Sequence, residues 1–171
     1  MTASIVDPLF SDHIFPDFPF KNQNWLAVAF ERNGYDNTRM PEWFFREASN
    51  VFNPSESSKL LIKGDCFALE GRGKIACVGF NWDCYSRFMR SAEGFSLEYK
   101  MANGTADFAC WADPELTVIG GESSKMDEVL DRCGGRESML GHIEREFFLD
   151  EPAGNEDMRR YFRGLLFRDG R

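Results

Sequence analysis

The hydrophobic pattern changes character along the chain. In TRMPEWFFREASNVF, the residues Phe44, Phe45, Ala48, Val51 and Phe52 recur at helical spacing behind Pro41, which suits a first turn. Between 59 and 80 the pattern becomes short apolar runs broken by polar and glycine positions. These predict strands over 59–63, 66–70 and 74–80, with Gly71 and Gly73 in a turn. NWDCYSRFMRSAEG then predicts a short helix with Trp82, Tyr85, Phe88 and Met89 on one face and Gly94 at its end. ELTVIGG adds a strand after a turn at Asp113-Pro114.

Helical spacing returns in the last third. SSKMDEVLDRCGG carries Met126, Val129, Leu130 and Cys133 between a serine cap and Gly134. RESMLGHIEREFF groups Met139, Leu140, Ile143 and Phe147, and NEDMRRYFRGLLF groups Met158, Tyr161, Phe162, Leu165 and Leu166 behind Asn155. NQNWLAVAFERNGY fits two readings. Alternation of Leu26, Val28 and Phe30 suits a strand, and Gly34-Tyr35 suits a left-handed helix cap. The cap favours the helix.

FSLEYKMANGTADFACW reads as a hairpin. Asn103-Gly104 is a preferred pair for a two-residue turn, since both central residues need positive φ. Turning there sets Met101 opposite Ala106, Lys100 opposite Asp107, Tyr99 opposite Phe108 and Leu97 opposite Cys110. The apolar pairs then share one face, so turn chemistry and pattern agree.

DPLFSDHIFPDFPF, residues 7–20, holds four phenylalanines, three prolines and three aspartates. Prolines and aspartates interrupt any signal-like apolar run, so the segment is expected to stay with the protein. Solvent-exposed tails seldom carry so many aromatics. An arm laid on the domain with its phenylalanines inward is the expectation, and an arm exchanged between two subunits or binding a partner is the alternative.

Composition narrows the class. The 171 residues suit one domain. A net charge of −8 disfavours phosphate backbones and anionic lipid, and favours a basic protein partner. Five cysteines without a Cys-x-x-Cys pair read as reduced thiols, which suits the cytoplasm. No run is long enough to span a membrane.

Candidate chemistry is sparse. His13 and His142 are the two histidines, too few for a histidine-rich metal site. Cys84 opens a predicted helix beside Asp83, whose charge opposes thiolate formation. GRGK at 71–74 lacks the full phosphate-loop spacing. Twenty-eight acidic residues make coincidental carboxylate pairs inevitable, so none is singled out as catalytic. Arg159, Arg160 and Arg163 mix with Tyr161 and Phe162, but this reads as one amphipathic helix rather than a nucleic-acid surface.

The sequence therefore predicts an α+β fold. A central, mostly antiparallel sheet of about five to six short strands over 59–119 is flanked by N-terminal and C-terminal helices. Residues 1–20 form an extended Phe/Pro-rich arm packed on a single domain of 21–171. Function is expected to be protein binding: an acidic immunity-type inhibitor that occludes a basic toxin or nuclease domain, without catalytic residue, cofactor or metal. Its contact residues would come from Asp12, Asp17, Trp111, Glu144, Glu146, Asp150 and Glu151. A small cytosolic enzyme using carboxylates or a cysteine is the alternative, an adaptor or structural subunit the next, and a homodimer stays open.

Overall fold

A computed structural model describes residues 5–12, 17–31, 35–65, 75–94, 96–148 and 155–168. Its fold is α+β. The strands are β1 (Leu26–Glu31), β2 (Lys59–Gly64), β3 (Ile75–Gly79), β4 (Tyr99–Asn103), β5 (Phe108–Ala112) and β6 (Leu116–Gly121). The helices are α1 (Glu42–Phe52), α2 (Trp82–Arg90), α3 (Ser123–Arg132), α4 (Arg136–Phe148) and α5 (Glu156–Leu166). One antiparallel sheet runs in the order β1-β6-β5-β4-β2-β3. The strand expected over 66–70 and the turn at Gly71 and Gly73 lie outside the described residues. Among the described residues no helix is long and apolar enough to cross a membrane.

Residues 26–31 correct the helical expectation: they form β1, paired with β6 from Leu26↔Gly121 to Glu31↔Leu116. Five of the six are buried. Leu26, Val28 and Phe30 face one side of the sheet and Ala27 and Ala29 the other. A strand covered on both faces loses polar alternation and reads like a buried helix. Its outer edge is sheltered by α4, where the Glu146 carboxylate accepts the Glu31 amide at 3.0 Å.

The hairpin is also corrected. Tyr99 pairs with Ala112, Lys100 with Trp111 and Met101 with Cys110, four residues away from the expected register. Asn103 cannot turn, because it still pairs with Leu60 of β2 and the Gly104 amide donates to the Lys59 carbonyl. The chain turns over 104–107 instead, with Ala106, rather than Asn103 or Gly104, in the left-handed region (φ 58°). A shift of four is even, so every side chain keeps its expected face.

Asn103 organises that loop from within the core. Its Oδ1 accepts the amides of Asp107 and Phe108, and its Nδ2 donates to Thr105 and Asp107. Asn103→Ala strands these donors and is expected to cost about 2–3 kcal/mol in denaturant titration. Gly104→Ala, at an open position with ordinary φ, is expected to stay within about 0.5 kcal/mol of wild type.

One face of the sheet packs against α1 and α2. Phe44 packs on Phe30, Phe52 on Phe108, and Phe45 lies parallel to Tyr85 with centroids 4.4 Å apart. The opposite face is covered differently. Phe20 lies over Gly120, the point in β6 opposite both Ala27 and Ala109, where a Cβ would come within 2.3 Å of the Phe20 ring. Small residues on three neighbouring strands thus make the seat for one aromatic ring. The segment holding Phe20 doubles back through a Phe10–Phe20 bridge, with Val6, Phe10, Phe18 and Phe20 buried and Asp12 and Asp17 exposed. α5 packs against β1 and α4.

Candidate functional site

Three of the four tryptophans are buried; Trp43, at the start of α1, is 43% exposed. Helix phase explains this, since Phe44, Phe45, Ala48 and Phe52 occupy the buried arc and Trp43 lies off it. The ring is nevertheless held. It stands edge-on to Phe30 at 6.0 Å and to His142 of α4 at 5.3 Å.

His142 joins α4 to the segment entering α1. Its Nε2 lies 3.1 Å from the Tyr35 hydroxyl and 2.9 Å from Glu146 Oε1, one helical turn along. The second Glu146 oxygen takes the Glu31 amide described above. Burial pushes Glu146 up to about 7; the bond from the Glu31 amide opposes the rise, and the Glu31 charge gives back part of that. Burial lowers His142, and the Arg145 charge lowers it further. Both shifts favour the uncharged forms, so the contact has more the character of a hydrogen bond than of an ion pair. Besides burial, Glu31 from β1 acts on Glu146 and Arg145 from α4 acts on His142.

This carries a pH dependence. Glu146 titrates near 7 in the folded chain against an ordinary 4.5, so its burial costs nothing in acid and progressively more as pH climbs through that window. Glu146→Gln keeps an acceptor for the Glu31 amide and removes the titration. The variant is expected to match wild type near pH 4 and to exceed it by about 1–2 kcal/mol at pH 8, in urea titrations across pH. His142 is common to both proteins, so the difference reports mainly on Glu146.

The residues expected from sequence are dispersed. Asp12 and Asp17 are exposed on the N-terminal segment. Trp111 is 6% exposed, on the sheet face opposite Tyr99, and lines a cavity of about 140 Å³ with Asp7, Lys63, Glu98 and Lys100. Glu144 pairs with Arg159 of α5 at 2.9 Å. Glu146, two residues on, points to β1. His13, Asp150 and Glu151 lie outside the described residues. Cys110 is buried, which raises its thiol well above the usual range, and burial helped by Glu47 pushes Cys133 up to about 11. Neither is a ready thiolate.

Sequence reasoning missed Trp43, Tyr35 and the His142–Glu146 pair as one cluster. The i, i+4 spacing of His142 and Glu146 was visible, and so was the helix phase of Trp43. Their meeting depends on α4 lying along β1, which no local pattern encodes. Compared with protein families, characterised sequences and solved structures, the chain matches none.

Proposed function

We propose that the protein is an acidic binding module of the immunity type, acting in the cytoplasm, which neutralises a basic toxin or nuclease domain by covering its working surface. The observation that carries this reading is the exposed, pre-positioned Trp43 on a chain of net charge −8. Aromatic anchors with restricted rotamers contribute disproportionately to binding, and surrounding carboxylates speed the approach of a cationic partner. Glu42, Glu47 and Glu31 supply the acidic groups of this region. Glu42 and Glu47 already meet Arg46 and Arg132, so a partner's cations would compete with exposed, weak pairs.

The test is affinity capture from the native host, then measurement of the purified pair at increasing salt. The expected partner is a basic domain whose affinity falls steeply with ionic strength. An acidic partner, or a salt-insensitive affinity, would contradict the reading. The His142–Glu146 pair favours a second reading, an acid–base enzyme with Glu146 as the proton carrier. Substrate turnover abolished by Glu146→Gln would support it. Under the inhibitor reading that substitution leaves partner affinity within about threefold, as for a residue beside the central anchor.

A further inference from the structure

The two edges of the sheet differ. At β1 the outer edge lies against α4, where Glu146 takes the Glu31 amide. At the other end, among the described residues, β3 pairs with β2 alone. Natural sheets protect such an edge with a charged residue, a proline or a bulge. β3 has none of these. Its residues are Ile75, Ala76, Cys77, Val78 and Gly79, and its register with β2 runs without interruption from Lys59↔Gly79 to Lys63↔Ile75.

Hydrogen-bond parity fixes which groups of β3 point outward. On β2 the Lys59 carbonyl accepts the Gly104 amide, and just beyond it the Asp65 amide donates to the Glu98 carbonyl, so the odd-numbered positions bond toward β4. The even-numbered positions therefore bond toward β3, in line with the Phe80 amide, which donates to the Ser58 carbonyl. Ala76 and Val78 are engaged in that ladder. The N–H and C=O of Ile75, Cys77 and Gly79 point away from the sheet and have no partner among the described residues. Cys77, at the centre of the strand, is exposed, and Ala76 and Val78 are half-buried.

We propose that β3 pairs antiparallel with β3 of a second copy about a two-fold axis at Cys77, joining two sheets into one. A second copy is the occupant because the outward positions are symmetric about Cys77. The axis sets Cys77 opposite its own symmetry mate and Ile75 opposite Gly79, and each such pair exchanges both of its bonds. Every outward group named above then gains a partner. Ala76 comes to lie against Val78 of the second copy, which covers apolar side chains that are half-buried in the single chain. The paired strands carry no charge, so the net charge of −8 opposes the contact only from a distance, where salt screens it. An unrelated strand would match these positions only by coincidence. The contact uses neither Trp43 nor the N-terminal segment, so it is independent of the proposed partner interface and of arm exchange.

The test is sedimentation equilibrium of the full chain under reducing conditions, up to about 0.5 mM, since two short strands make a small and therefore weak interface. A monomer–dimer equilibrium is expected. Cys77→Lys sets like charges across the axis at an exposed position, and should weaken dimerisation about tenfold or more while leaving the unfolding midpoint in place. Amide exchange followed by NMR on the wild-type chain covers the case in which that variant fails to fold. The amides of Ile75, Cys77 and Gly79 should gain protection as concentration rises, while those of Ala76 and Val78, already bonded to β2, change little. A monomer throughout that range overturns the proposal. So does a dimer that Cys77→Lys leaves intact, or one that leaves exchange at Ile75, Cys77 and Gly79 unchanged.

Discussion

Phe20→Ala is expected to lower the unfolding free energy by about 3–5 kcal/mol, read from urea titration. Phe20 is fully buried although it belongs to an irregular segment. Its ring meets Phe10, Phe18 and Trp25 at centroid distances of 5.4–5.5 Å and fills the depression above Gly120. Truncation removes a large apolar group where the surrounding strands cannot collapse, because the backbone itself forms the floor. A loss of this size is a substantial fraction of the roughly 5–15 kcal/mol that keeps a domain folded. Gly120→Ala attacks the same contact from the other side and should cost about 1–3 kcal/mol by overpacking. In the Phe20→Ala background that penalty should largely vanish, since the two changes share one cavity. A Phe20→Ala cost below about 1 kcal/mol would mean that the segment does not belong to the core.

Trp43→Ala is expected to weaken partner binding by about 2–4 kcal/mol, a loss of roughly 30- to 1,000-fold in Kd. The ring offers a little under half of its surface to solvent while its edges rest on Phe30, Phe44 and His142. Such a ring loses little rotamer freedom on binding, so most of its burial is available as affinity. Folding should suffer much less, about 1 kcal/mol, because 43% of the residue is already outside the core. Calorimetry for affinity and denaturation for stability separate the two effects. Trp43→Phe should recover part of the binding. Equal losses in stability and affinity would assign the residue to the core instead.

Legibility in the sequence followed how local the causes were. The helices α1 to α5 were readable, because their apolar positions recur within a few residues of one another. The faces of β4 and β5 were readable too, since alternation sets them whatever the loop. The loop itself was not, because Asn103 is retained by β2, a strand some forty residues earlier in the chain. β1 was misread for a related reason. Its alanines are small to admit α5 and the N-terminal segment, a demand made by distant parts of the chain. Trp111 showed the limit of face assignment: it does lie opposite Tyr99, as the alternation required, but that face is covered. The His142–Glu146 cluster needed α4 beside β1, and the shift of both groups toward their uncharged forms follows from burial, which sequence spacing does not report.

The most direct test of Trp43 as the anchor is hydroxyl-radical footprinting of the protein alone and bound to the captured partner. Trp43 and Leu97 are the two large exposed apolar side chains among the described residues, at 43% and 52%. Strong protection of Trp43 on binding, with Leu97 oxidised as before, is the predicted result. Unchanged oxidation of Trp43 in a saturated complex would contradict it and move the interface elsewhere.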